Sequence, residues 1–274
     1  MGVARILWPF TGSPRQTVAG LLHDVATPVF AHVVDFLNGD HLRQESTEAR
    51  TAAVIRQSPE LLALLKRERL TVEDVADYHR FSLADNPSPQ LSADRLEYTL
   101  GNLWHYGFLS PDRLAVFYND LAVGGDEQGR QELAFQTPET ASAFARAALD
   151  TSRVYVSDED RFAMQALADL LKDALARGVL STEDLYTTEP AVIARLRTDP
   201  VSGAAWERFR GYASVLREDR RPQEEGWLSV PAKKRYLDPL IRLRGRVSQW
   251  DPQIKALQED FLALDFSVWL RGYQ

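Results

Sequence analysis

Cysteine is absent from the 274 residues, so neither a disulfide framework nor thiol chemistry is available. Histidine is scarce and one-sided: five occur, all between His23 and His105. Imidazole chemistry is therefore confined to the N-terminal third. Positive charge is in deficit, with 32 Lys and Arg against 39 Asp and Glu, a net charge of −7. That balance argues against a global attraction to nucleic acid or to an acidic membrane. No charged-then-apolar leader is recognisable, and no apolar run reaches the length of a bilayer span, so the expected location is the cytoplasm. Internal repeats and low-complexity tracts are also missing.

What is present is ordinary for a globular chain, 45% hydrophobic and 26% charged. Capping residues precede prolines at Ser13-Pro14, Thr27-Pro28, Ser58-Pro59, Ser110-Pro111, Thr137-Pro138 and Asp251-Pro252. Each predicts a helix start, because proline lacks only an N–H that a first helical residue does not use. Apolar residues between these starts recur at helical spacing, as in Phe162, Leu167, Leu170 and Leu171. Asn38-Gly39-Asp40 and Asn86-Pro87-Ser88-Pro89 are turns. Leu121–Val123 and Glu132–Phe135 flank a Gly-rich polar tip and predict a β-hairpin. Trp227 to Leu237 predicts a second short strand region, and the charged stretch Arg217–Gly226 before it a surface loop.

The segment Leu21–Phe36 carries the densest chemistry. His23 and Asp24 close one apolar helix, and Thr27-Pro28 predicts a second one directly after. The pair would then sit at a helix–helix corner, with His32 one turn beyond Pro28 on a face shared with Asp35 and Phe36. Imidazole beside carboxylate is half a site for Mn, Fe, Co or Zn, completed by a carboxylate from elsewhere. A plain polar corner between packed helices contains the same pair.

This segment resembles the H…HD…D signature of the HD superfamily of metal-dependent phosphohydrolases. Pro28-Val29-Phe30-Ala31-His32 matches the Pro-Phe-Ser-His turn of its deoxynucleotide triphosphohydrolase-like branch. Asp94-Arg95-Leu96-Glu97-Tyr98 matches that branch's Asp-Arg/Lys-x-Asp/Glu-Tyr stretch. The resemblance implies a mainly α, HD-domain-like helical array with the metal-site core in residues 1–110. Residues 111–274 would be a helical extension, packed on the core as one large domain and serving as scaffold, lid or homodimer surface. It further implies a divalent cation (Mn, Fe, Co, Zn or Mg) held by His23, Asp24 and Asp94. His32 would assist proton transfer, and Arg95 and Tyr98 would contact the phosphate and sugar of a nucleotide. The expected partner is a small phosphorylated substrate. No aromatic-interleaved basic patch points to nucleic acid.

The sequence departs from this branch in three places. Thr27 stands where a second histidine follows the HD pair, and Gln44-Glu45 where a His-Glu pair is expected. His79 is the candidate replacement for that imidazole; His41 and His105 read as surface or packing residues. No histidine precedes His23, so either the family's first ligand would fall just before Met1, as in a truncated or late-starting chain, or the site has lost that ligand. Alternatives stay open for the other residues. Asp94 follows the Ser92 cap, where a helix dipole favours any acid, and Arg95 also reads as a solvated helix-face cation. Lys233, Lys234 and Arg235, with Arg242, Arg244 and Arg246, form either a solvated face or a phosphate clamp led by Lys234 and Arg235. Two functions compete: a metal-dependent phosphohydrolase, or a non-catalytic nucleotide-binding or interaction protein on a degenerate HD scaffold.

Overall fold

A computed structural model describes residues 1–37 and 50–274. Among them are fourteen α-helices and six short strands, the mainly α fold with a small β part that the sequence predicts. The strands are β1 (Leu121–Gly125), β2 (Gln131–Phe135), β3 (Ser214–Glu218), β4 (Leu240–Ile241), β5 (Gly245–Arg246) and β6 (Trp269–Tyr273). No helix among the described residues is long and apolar enough to cross a membrane. The expected turn at Asn38-Gly39-Asp40, with His41, Gln44 and Glu45, lies outside the described residues.

Pro14, Pro59, Pro111, Pro138 and Pro252 each begin a helix. Ser13, Ser58 and Asp251 accept hydrogen bonds from backbone N–H groups of the turn they cap, satisfying donors that have no helical partner. Pro28 does not begin one. Phe30 and Ala31 have φ of 62° and 43°, a left-handed conformation that interrupts a right-handed helix. The helix starts only at Val33 and is described over Val33–Leu37.

The chain divides into two compact units. The first comprises Met1–Val25, Thr51–Val154 and Lys234–Leu264; the second Ala26–Arg50, Tyr155–Lys233 and Asp265–Gln274. The boundary expected near residue 110 falls inside the first unit. Leu7, Ile55, Leu83, Leu91, Leu96, Leu103, Phe135 and Phe144 are fully buried in the core of the first unit. Val33, Val34, Leu171, Leu196 and Trp206 are buried in that of the second. The predicted hairpin forms as β1 and β2, paired from Leu121↔Phe135 to Gly125↔Gln131, and β4 adds in parallel to β2.

The strand region expected at 227–237 forms no strand, only a bridge between Leu228 and Leu270. Its backbone groups find other partners. The Val230 carbonyl accepts from the buried Arg161 guanidinium, and the Leu237 carbonyl from Gln258 Nε2 at 3.1 Å. The paired strands lie later, at β4, β5 and β6, and β6 pairs antiparallel with β3.

Arg246, expected on a charged face or a phosphate clamp, is instead buried in the first unit. Its Nη1 donates to Glu132 Oε1 at 2.6 Å and to the Asp238 carbonyl at 3.1 Å, while Nε and Nη2 grip Glu127. Glu132 is fully buried and its Oε1 also accepts from the Leu91 N–H at 2.9 Å. Burial pushes the Glu132 carboxyl above its ordinary range, although Arg246 and the Leu91 amide hold it down. Removing one partner of such a pair strands the other charge, whereas removing both does not. Arg246→Met should therefore cost about 3–5 kcal/mol. Chemical denaturation should show much of that loss recovered in Arg246→Met with Glu132→Leu; additive losses would contradict this account.

Candidate metal centre

The helix Pro14–Leu22 ends at His23. Gly20, in its last turn, lies against the helix Gly2–Thr11: a Cβ there would come within 2.6 Å of Leu7 Cδ1. A side chain at this position would force the buried Leu7 and Val3 to shift. The Gly20 carbonyl, at a helix end where backbone partners run out, accepts from His23 Nδ1 at 2.8 Å. With Nδ1 donating, Nε2 is directed to the opposite side of the ring, where two carboxylates meet it. Asp24 Oδ2 lies at 3.0 Å and Asp94 Oδ1 at 3.4 Å.

Asp94 reaches this point because the helix Ala93–His105 is fixed at its start. Ser92 Oγ accepts from the Arg95 N–H at 3.2 Å, and the Ala93 and Asp94 N–H groups donate to the Leu83 and Ala84 carbonyls. The His23 side chain is 10% exposed, Asp94 26% and Asp24 75%, so the corner is open on the Asp24 side. Burial alone would lower the His23 pKa. The hydrogen bonds and negative charges of Asp24 and Asp94 outweigh it and push the value up to about 10. The imidazolium bridges the two acids.

Donors at ~2.1 Å from one cation stand roughly 3.0 to 3.4 Å from each other at octahedral and tetrahedral angles. His23 Nε2 stands at such spacings from both carboxylate oxygens. The Nδ1–H bond to a backbone carbonyl is the partner that typically orients a metal-ligating imidazole. In donor chemistry the three side chains fit a divalent cation. Yet no group of three or more His, Asp or Glu side chains among the described residues is arranged to hold a metal as it stands. The hydrogen on Nε2 occupies the direction in which a cation would bind.

A second cluster adjoins the first. The short 3₁₀ turn Tyr78–Arg80 is capped by Asp77, whose Oδ1 accepts from the His79 N–H at 3.2 Å. The Tyr78 ring lies 5.1 Å from that of His23 and 4.3 Å from that of His79. His79 Nδ1 bonds Asp85 Oδ2 at 2.7 Å, and Arg95 Nη2 bonds Asp85 Oδ1 at 3.1 Å. Arg95 Nη1 also donates to Asn86 Oδ1 at 2.7 Å and to Ser92 Oγ at 3.2 Å. Burial works against ionisation of Asp85, but the His79 bond and the Arg95 charge hold its carboxyl below the usual range.

Of the residues singled out in the sequence, the structure brings together His23, Asp24 and Asp94, and beside them His79 and Arg95. Arg95 is no solvated face cation; three side chains hold it. Tyr98 is half-buried one turn after Asp94. His32 belongs to the second unit, where Nδ1 bonds the fully buried Asp35 at 3.0 Å and burial pushes the nearby Asp160 up to about 6. Lys234 gives its Nζ to the Leu262 carbonyl, and Arg235 is half-buried. Arg242 is exposed, as is Arg244, which lies over the Trp250 ring; His105 stacks on Trp104. Sequence reading missed Tyr78, Asp85 and Asn86. The Asn86-Pro87 turn was visible, but only the folded loop brings Asp85 to His79 and Arg95.

No protein-family model matches the chain. It is 28% identical over 199 residues to the uncharacterized protein YdhJ of Bacillus subtilis, covering 72% of this chain and 59% of that protein. It is 27% identical over 240 residues to the metal-dependent phosphohydrolase cns2 of Cordyceps militaris, covering 84% of this chain and 66% of that protein. The chain thus spans less than two thirds of either relative's length.

The raised His23 pKa has a stability consequence in metal-free protein. Below the ordinary value of 6.5 folded and unfolded chains both carry the proton, and the stabilisation is fully present. As pH rises from there through about 10, it is progressively lost. Urea denaturation across that window should show wild type losing on the order of a few kcal/mol relative to His23→Gln. A pH-independent difference between the two would contradict the bridging imidazolium.

Proposed function

We propose that the protein is a metal-dependent phosphohydrolase acting on a nucleotide or another small phosphate ester. The observation that carries this is the meeting of one imidazole nitrogen and two carboxylates, Asp24 at 3.0 Å and Asp94 at 3.4 Å, from segments remote in sequence. The name of the Cordyceps militaris relative supports the same reaction class. His23, Asp24 and Asp94 would hold the cation, with Gly20 fixing the ring so that Nε2 faces the two acids. A bound divalent cation supplies an acidified water and a polarised phosphoryl oxygen.

The chain's own side chains provide the rest. Arg95, pre-set by Asp85, Asn86 and Ser92, keeps guanidinium N–H groups for phosphate beyond those three bonds. Tyr98, one turn from Asp94 on the same helix, contacts the sugar. His79 moves a proton at Nε2, since Nδ1 is committed to Asp85. Because a cation must displace the His23 proton, metal affinity rises with pH through the neutral range.

A non-catalytic nucleotide-binding protein is the second reading, and one observation favours it: His23 is an imidazolium locked between its would-be partner acids. Elemental analysis of protein purified without chelator, followed by phosphate release from a panel of nucleotides and simple phosphate esters with added Mn, separates the two. The hydrolase reading expects bound metal and turnover, both falling to background in Asp94→Ala. Turnover retained in Asp94→Ala would sink it; metal-free, inactive wild type that still binds nucleotide would establish the second reading.

A further inference from the structure

Among the described residues, Asp85 is the carboxylate that holds both a histidine and an arginine of the proposed site. Its two oxygens are divided between them, Oδ2 to His79 Nδ1 at 2.7 Å and Oδ1 to Arg95 Nη2 at 3.1 Å. The backbone N–H of Asn86 donates to the same carboxylate. Its side chain is 19% exposed, against 47% for His79 and 16% for Arg95, so Asp85 lies beneath the imidazole it holds.

The loop carrying it is anchored at several points. The Asp85 N–H donates to the Phe81 carbonyl at 3.0 Å. Asn86 Nδ2 donates to the Ser82 and Leu91 carbonyls, each at 3.1 Å. The Leu91 N–H in turn ends on the buried Glu132. A carboxylate so fixed sets the direction of whatever it binds.

We propose that Asp85 is a positioning residue that acts through two side chains at once. By accepting from Nδ1 it fixes the His79 tautomer that carries its lone pair on Nε2, and by accepting from Nη2 it locks the Arg95 guanidinium beside the start of the Asp94 helix. This rests on the hydrolase reading for its role in turnover, but not for its geometry. A surface ion pair of the same composition would stabilise the fold slightly and leave tautomer and kinetics alone.

The test uses the full chain. In ¹⁵N-labelled wild type, at a pH where the ring is neutral, His79 should show the Nδ1–H tautomer. In Asp85→Asn it should shift to a mixture or to Nε2–H, and Asp85→Glu should recover part of the Nδ1–H population. With a phosphate ester that the wild type turns over, Asp85→Asn should lose roughly 10–100-fold in kcat/KM. The His79 part of that loss should appear in kcat and the Arg95 part in KM. In an Asp85→Asn, His79→Gln double variant the kcat loss should be no larger than in His79→Gln alone. An Nε2–H tautomer in wild type overturns the proposal without any variant, and so does a kcat loss in Asp85→Asn with the tautomer unmoved. Should no phosphate ester be turned over, the hydrolase reading falls, while the tautomer measurement still decides the assignment of Asp85.

Discussion

Two carboxylates from distant parts of the chain, Asp24 and Asp94, are held at one corner, and a positive charge stands between them. Two carboxylates around one point repel each other, and a cation between them offsets that repulsion. In the metal-free protein His23 supplies it, at the cost of keeping its proton well above neutrality. A divalent ion would supply it more strongly. Three local features of the first unit place these groups. Gly20 lets two helices touch, its carbonyl orients the His23 ring, and the Ser92 cap aims the helix that bears Asp94.

Beside that corner a hydrogen-bonded network anchors the loop that precedes the Asp94 helix. Glu132, buried and shared between Arg246 and the Leu91 amide, ties the loop before the Asp94 helix to the small sheet. The same loop carries Asp85 and Asn86, which hold His79 and Arg95. Buried ionic networks contribute little net stability but penalise any rearrangement that breaks them. Such a network holds the loop's side chains, and with them His79 and Arg95, in one arrangement. One chain of hydrogen bonds runs from the small sheet through this loop to His79 and Arg95, beside the corner.

Helices were readable because capping and proline placement are local: Ser58 and Pro59 need only their immediate neighbours to begin a turn. Pro28 shows where local logic stops. Thr27-Pro28 carries the same signal, but the left-handed Phe30 and Ala31 and the bond from the Val29 N–H to the Leu185 carbonyl redirect the chain. Arg246 shows the other failure. In sequence it belongs to a run of cations; in the fold a buried glutamate more than a hundred residues away claims it.

The sequence by itself determined the helical class and the hairpin, and it singled out His23, Asp24 and Asp94 as candidates, because residue chemistry and short-range spacing are written in it directly. Only the tertiary structure decided that Asp94 meets His23, that His32 belongs to a different compact unit, and that Asp85 stands behind His79 and Arg95. Those are distances across space between segments joined by loops. No periodicity encodes them; packing of the whole unit does.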